Sequence, residues 1–392
     1  MRNLRVIISS AILSVCFAHS SHSQDRQSIL KFSNDVELCF TGELKKSAEI
    51  GEISPYSGAF VSNRIIEYLS KNTPALDYES AINYCKTQLV PQYLKADKLA
   101  RSAKPSIFPE TAKLTEPIKI DDNFAQITAN WIMNHAVVGH PQLTRMALNG
   151  LSSGVTFSND AEILIISASQ APDLYRWRDD RFHAITCIHP DINQKSCAEI
   201  DSAPTADRKT VIADSQFLFV DLIDTIMDKV VTETEAGLYE SALFWIGSAC
   251  HSLEDLAFHK GMTSQQHSGL SYVLKKDPDI PKGSKGLEKI EDATNYCRKF
   301  IDLVISRSPN NMDKLLNWKS NPNIKLADIA SLEFGTGTDM NTTSLIEYWL
   351  LSRAYVNDKN KQKELLPTVG GLYVWDTSDI MSKIETKLSS GQ

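Results

Sequence analysis

The stretch Ala236–Lys260, AGLYESALFWIGSACHSLEDLAFHK, decides how the rest of this chain is interpreted. Its apolar residues recur at intervals of three and four, which predicts an α-helix. His251, Asp255 and His259 would lie in one nearly straight line along that helix, because each is four residues from the next. Two imidazoles and a carboxylate are ligand types that zinc prefers, and the carboxylate can bridge two cations. Gly247, one turn earlier on this line, is expected to leave room for a ligand. A solvated polar stripe is the alternative interpretation.

Histidines are concentrated in the same third of the chain. Apart from two near the amino terminus, all of them lie between positions 135 and 267. His135 is best interpreted as a packed or surface histidine, and a role as a ligand is the less favoured alternative. His189 is interpreted as having no part in the site. The histidines that remain as candidate ligands are His140, His183, His251, His259 and His267.

Three segments precede the central helix in a fixed order: His140-Pro-Gln-Leu-Thr-Arg-Met-Ala-Leu148, Ala168-Ser-Gln-Ala-Pro-Asp173 and Phe182-His183-Ala184. Followed by the His-x3-Asp helix and a nearby histidine, this order resembles the zinc-dependent phospholipase C superfamily. That superfamily includes the single-strand-specific zinc nucleases and the amino-terminal domain of glycosylphosphatidylinositol-specific phospholipase D. The resemblance covers roughly residues 120–300.

The resemblance implies two or three Zn²⁺ ions as cofactors. Asp255 would be shared by the first and second ions, and Asp173 would also accept a proton from the attacking water. The implied ligands are Asp173, His183, His251 and Asp255 for the first ion, His140 with Asp255 for the second, and His259 with His267 for the third.

Three features depart from the family pattern. Bacterial relatives use the amino terminus of a mature tryptophan as a ligand, whereas about a hundred residues precede the first motif here. Trp131 could serve only after a second cleavage. Asp255 and His259 are separated by three residues, as in the glycosylphosphatidylinositol-specific relative, instead of five. The position four residues after His267, where the family has an acidic residue, is occupied by Ser271. The third ion is therefore expected to be weakly bound, absent, or held by a ligand from elsewhere in the chain.

The remaining sequence is also helical in pattern, without long alternating strands or an internal repeat. We therefore predict a mainly α protein, in which a multi-helix domain resembling phospholipase C and the zinc nucleases carries helical extensions. Prolines at 105, 109 and 117 mark the best boundary, because proline disfavours helix at and before its own position. The predicted division is a signal peptide at 1–23, a helical amino-terminal region at 24–104, a linker at 105–117, the catalytic domain at 118–310 and a helical carboxy-terminal region at 311–392.

The first 23 residues have the plan of a secretory signal. Arg2 and Arg5 precede an apolar run from Val6 to Ala18, and the small-residue triplet Ser21-His22-Ser23 follows. Removal of this segment would change the formal net charge from −7 to −9. No later stretch approaches the roughly 20 apolar residues of a membrane span. A secreted or periplasmic protein without a transmembrane segment is expected.

Six cysteines remain beyond the signal, an even number that predicts disulfides in an oxidising compartment. Many pairings are compatible with six cysteines. Proximity along the chain favours Cys39–Cys85, Cys187–Cys197 and Cys250–Cys297.

These observations predict an exported zinc-dependent hydrolase of phosphoric esters, most simply a phospholipase C acting on a phospholipid, with peripheral membrane contact. The acidic balance argues against binding of duplex nucleic acid, since phosphate backbones are bound by clustered Lys and Arg. A nuclease or nucleotidase on the same site stays open, because a pocket for one nucleotide needs little charge. A metal-stabilised protein without catalysis is the third alternative.

Overall fold

The computed structural model describes most of the chain as helices. The described residues are 3–46, 57–71, 74–95, 139–177, 179–186, 205–263, 283–307, 310–320, 326–335 and 375–390, with short pieces at 266–267, 270, 278–279, 342–343, 345–347 and 349–350. Every regular element within these ranges is helical, and none of them is a strand. The mainly α fold is thereby confirmed.

The α-helices are numbered here in chain order. A π-helical turn at Cys85–Leu89 directly follows α3. The bounds are α1 Asn3–Lys46, α2 Ser57–Lys71, α3 Tyr78–Tyr84, α4 His140–Asn149, α5 Asn159–Ala168, α6 Ala171–Tyr175, α7 Thr205–Ala236, α8 Tyr239–His259, α9 Gly283–Arg307, α10 Met312–Leu316, α11 Leu326–Phe334 and α12 Thr377–Ser390.

The chain divides into two compact units. The first comprises Met1–Ala103 with Asn341–Leu350, and the second comprises Lys104–Met340 with Leu351–Gln392. The expected cleavage position after residue 23 lies within α1, and the predicted linker at 105–117 lies outside the described residues. Among the described helices, none has the length and apolar character that crossing a bilayer requires.

The first unit is held by packing of α1 against α2 and α3 and by one disulfide. Cys39 of α1 is bonded to Cys85, as predicted from their proximity. Phe40, Phe60 and Tyr93 form a cluster in which Tyr93 meets each phenylalanine edge-on, with ring centroids 5.1 Å apart. Such edge-to-face contacts add to the burial of apolar area in stabilising a small helical core.

The second unit is built around α8. Helices α5, α7 and α9 pack against it, so every residue from Ser241 to His259 is buried. The solvated-stripe interpretation of its histidines is therefore wrong. Cys250 of α8 is bonded to Cys297 of α9, which confirms a second predicted disulfide. Cys187 and Cys197 lie outside the described residues.

Gly247 is explained by helix packing. A Cβ atom at this position would lie 2.3 Å from the carbonyl oxygen of Ile165 and 2.7 Å from Cβ of Ala168, both on α5. The glycine therefore permits α5 and α8 to approach closely. The expectation that it leaves room for a ligand is wrong, because the backbone of α5 occupies that space.

A pair of carboxyl groups lies near the amino-terminal end of α8. Glu333 of α11 accepts hydrogen bonds from Ser241 Oγ and Trp245 Nε1, at 2.6 Å and 2.8 Å. Lys229 Nζ lies 3.4 Å from Glu333 and 3.8 Å from Glu233 of α7. Burial and the charge of Glu333 raise the pKa of Glu233 from 4.5 to about 7, and Lys229 only partly opposes them.

The carboxyl group of Glu233 makes the free energy of unfolding depend on pH. The folded state holds the proton of Glu233 more tightly than the unfolded chain does, so its ionisation destabilises the fold as the pH rises from about 4.5 through about 7. One pKa unit corresponds to about 1.4 kcal/mol. We expect Glu233→Gln to raise the free energy of unfolding by about 1–3 kcal/mol at pH 8 and by almost nothing at pH 4.5.

Urea unfolding of both proteins at the two pH values measures this difference. The control is Glu235→Gln, which changes an exposed carboxyl of the same helix and should have little effect at either pH. An equal gain for Glu233→Gln at pH 4.5 and pH 8 would contradict the raised pKa.

Candidate metal centre

The seven predicted ligands come from five parts of the second unit. His140 opens α4, where the side chain of Gln142 accepts a hydrogen bond from the amide of Gly139 and fixes the first turn. Asp173 lies in the first turn of α6, and His183 lies in the turn that follows this short helix. The remaining ligands are His251, Asp255 and His259 on α8 and His267 shortly after it.

Asp255 is the centre of the arrangement. Its Oδ2 atom lies 3.1 Å from His183 Nδ1 and 3.2 Å from His251 Nε2. Its other oxygen, Oδ1, lies 3.3 Å from His140 Nε2. The two oxygens of one carboxylate thus face two different sets of imidazoles, which is the geometry that a bridging ligand requires.

The first set, His183, His251 and Asp173 beside Asp255, has in part the spacing of a metal coordination shell. His183 Nδ1 and His251 Nε2 lie 3.2 Å apart, and Asp173 Oδ1 lies 4.0 Å and 3.9 Å from them. Zinc bonds of about 2.0–2.2 Å place tetrahedral ligand atoms about 3.3–3.6 Å apart. The two nitrogens are close to this spacing, and Asp173 lies somewhat further out. Asp173 is 38% exposed, so it forms the open side of the set.

Hydrogen bonds on the far side of the rings orient these two imidazoles. His251 Nδ1 lies 2.8 Å from the carbonyl oxygen of Ser169, and His183 Nε2 lies 3.1 Å from that of Arg176. A carbonyl only accepts, so each of these nitrogens carries the proton in the neutral ring. Two nitrogen lone pairs and a carboxylate oxygen of Asp255 then converge, an arrangement that a cation stabilises.

Two further histidines of the centre, His140 and His259, are oriented in the same manner. His140 Nδ1 lies 2.8 Å from Glu254 Oε2, which leaves Nε2 directed at Asp255. His259 Nδ1 lies 2.6 Å from the carbonyl oxygen of His183, which leaves Nε2 on the opposite side of its ring. Metal-binding histidines characteristically donate their second N–H to such an acceptor.

The ligands predicted for the third ion, His259 and His267, are joined by a residue that the sequence analysis missed. Asp279 Oδ1 lies 2.7 Å from His259 Nε2 and 3.2 Å from His267 Nε2. The three side chains form a compact group of potential ligands. The acid thus comes twelve residues after His267, while Ser271, at the expected spacing of four, lies outside the described residues. No spacing rule in the sequence points to Asp279.

Burial and neighbouring charges together set the protonation equilibria of these groups. Burial alone would raise the pKa of Asp255, but the surrounding histidines hold it well below the usual range. Burial likewise opposes protonation of His259, yet Asp255 and Asp279 raise its pKa to about 9. Burial and the neighbouring His140 lower the pKa of His251. Protons therefore compete with cations for these nitrogens, and binding of a cation releases protons.

Two turns that carry ligands are joined behind the site. The amide of Gly261 donates to the carbonyl oxygen of Ala184, at 3.0 Å. Trp375 is fully buried there; its amide donates to the carbonyl of Lys260 and its ring Nε1 donates to Thr186 Oγ1. Gly261 has a φ of +75° and faces the tryptophan ring, a position where a side chain would clash. The carboxy-terminal segment thereby fixes the turns after His183 and His259.

Several residues close to the predicted ligands in sequence have structural roles, and others lie outside the described residues. The guanidinium of Arg176 donates to the carbonyl oxygen of Phe334 and lies 5.0 Å from the centre of its ring. Phe182 and Phe258 are buried core residues. Three residues weighed as ligands or alternatives lie outside the described part of the chain, namely Trp131, His135 and His189.

Comparison with known proteins identified no relative. No family model, curated protein or solved structure matches this chain.

Proposed function

We propose that this protein is a zinc-dependent hydrolase of phosphodiesters, with a phospholipid cleaved in the manner of phospholipase C as its substrate. The observation that carries the proposal is the orientation of four histidines, His140, His183, His251 and His259. In each, one ring nitrogen is bound to an oxygen acceptor and the other faces a carboxylate. The choice of phospholipid rests on the resemblance of the ordered motifs.

The nature of the donor atoms supports zinc. The sets combine imidazole nitrogen with carboxylate oxygen, which suits zinc better than magnesium or calcium, since those ions prefer oxygen alone. Zinc ions bound in such a site would lower the pKa of a water molecule and neutralise charge on the phosphodiester.

Other features of the site would each have a separate role in the proposed reaction. Asp255 holds the imidazoles of both neighbouring sets at hydrogen-bonding distance, so the sets share one anionic anchor. Asp173 lies on the open side and is the group best placed to accept a proton from an attacking water. The buried walls formed by α5, α8 and α9 exclude solvent from the back of the site and strengthen its electrostatic interactions.

Export is part of the proposal. Two disulfides, Cys39–Cys85 and Cys250–Cys297, are formed, as is typical of chains that fold in an oxidising compartment. We infer that the first 23 residues act as a secretory signal and that the enzyme works outside the cytoplasm.

Product analysis tests the reaction. The full chain, loaded with Zn²⁺, is incubated separately with phosphatidylcholine vesicles and with single-stranded DNA. Release of phosphocholine with diacylglycerol is the expected result. Phosphatidic acid would show that the other ester bond is cut, and nucleotides would instead establish the nuclease. The absence of hydrolysis of either substrate by zinc-loaded protein would favour a metal-stabilised protein without catalysis.

A further inference from the structure

Glu254 is a buried carboxylate that the proposed reaction does not use directly. It precedes Asp255 on α8 and has no exposed surface. Its Oε2 atom lies 2.8 Å from His140 Nδ1, and its Oε1 atom accepts a hydrogen bond of 2.8 Å from Thr144 Oγ1. Both partners belong to α4, so this one side chain connects α4 to the ligand-bearing helix.

Such a carboxylate requires compensation for its charge. An ionised carboxylate without contact with solvent is strongly unfavourable unless positive charge lies nearby. Of its two partners, the hydroxyl of Thr144 is neutral and the imidazole of His140 carries a charge only when it is protonated. A proton on His140, or a cation bound on the far side of its ring in place of that proton, would supply this compensation.

The far side of that ring has the necessary donors. His140 Nε2 faces Asp255 Oδ1 at 3.3 Å, and the His251 ring lies beside that of His140, tilted by 34° with the centroids 4.0 Å apart. His140, His251 and Asp255 form a group whose donor atoms could share one ion. His251 Nε2 also faces His183, so this position depends heavily on His140.

We propose that Glu254 is a positioning residue that acts through His140 to hold a cation between His140 and Asp255. Its carboxylate fixes the proton on Nδ1, directs the Nε2 lone pair at the ion and adds negative charge through the ring. Thr144 holds the carboxylate in place by occupying its second oxygen. This inference rests on the proposed metal-dependent function and assigns one part of that site.

The proposal predicts a selective loss of metal affinity. Glu254→Gln removes the charge, while its amide oxygen can still accept from His140 and its amide nitrogen can donate to Thr144. Zn²⁺ titration in competition with a chelator should show one equivalent bound about 10–100-fold more weakly, with the other equivalents unchanged. Thr144→Val should weaken the same equivalent to a smaller extent, and Thr144→Ser should restore it.

A double-mutant cycle identifies the equivalent concerned. His140→Ala should weaken the same equivalent, and adding Glu254→Gln to it should cause no further loss, because both residues act on one ion. Thermal unfolding in the presence of a chelator provides a second readout. The metal-free Glu254→Gln protein should unfold within about 2 °C of the wild type, because both hydrogen bonds persist.

The outcomes separate this inference from the proposed function. Unchanged Zn²⁺ affinity in Glu254→Gln overturns the inference alone. Weaker binding of every equivalent together with a lower unfolding temperature of the metal-free protein also overturns it, since Glu254 would then be merely structural. Zinc binding with the predicted selective loss but no hydrolysis of any diester overturns the proposed function alone. A wild-type chain that binds no Zn²⁺ overturns both.

Discussion

Replacing Asp255 with asparagine is expected to lower kcat/KM for phosphodiester hydrolysis by about a thousandfold or more. Asp255 approaches His140, His183 and His251 within 3.3 Å, and both of its oxygens take part. Asparagine has nearly the same shape but lacks the negative charge and presents only one oxygen. The change therefore removes the shared anionic anchor of two ligand sets while leaving the packing of α8 nearly intact.

Steady-state hydrolysis at saturating Zn²⁺ measures this effect. Asp228→Asn, which alters an exposed carboxyl on α7, is the matched control and should keep full activity. Circular dichroism should show equal helix content for both variants. Activity of Asp255→Asn within about tenfold of the wild type would mean that the chemistry takes place elsewhere.

Gly247→Ala is expected to destabilise the second unit by about 2–4 kcal/mol or to prevent its folding. The added Cβ atom would meet a backbone oxygen of Ile165 at 2.3 Å, and a backbone atom cannot move aside as a side chain does. Helices α5 and α8 would have to separate. Ser169, whose carbonyl orients His251, follows α5 directly, so the separation would also displace a proposed metal ligand.

Denaturant unfolding monitored by circular dichroism checks this expectation. Gly42→Ala provides a matched control, because a Cβ atom at that helical position of α1 meets nothing within 4 Å. The control should gain up to about 1 kcal/mol from the higher helix propensity of alanine. Stabilisation by Gly247→Ala of similar size would show that α5 and α8 are not in close contact there.

Local features of the site could be predicted from the sequence, and long-range ones could not. The four-residue spacing of His251, Asp255 and His259 places them in one line on any helix, so their proximity follows from the sequence alone. Asp279 comes from a loop whose path depends on tertiary packing, and its contact with His259 and His267 has no fixed spacing that would reveal it.

The same distinction explains Gly247 and Glu254. A glycine in line with His251, Asp255 and His259 could make room either for a bound ligand or for a closely packed helix. Only the position of α5 decides between the two. Glu254 lies in a different direction from its neighbour Asp255, and its role depends on α4, more than a hundred positions earlier in the chain. The disulfides Cys39–Cys85 and Cys250–Cys297 were predictable because both join neighbouring segments.

The most direct test of the account is the amount of zinc that the folded protein retains. The full-length chain is loaded with Zn²⁺, desalted and analysed for metal per chain, alongside His251→Ala. The account predicts two to three ions in the wild type and the loss of at least one in the variant. Less than about 0.2 ions per chain in the wild type, or equal zinc in both proteins, would contradict the claim that these histidines and carboxylates form a metal centre.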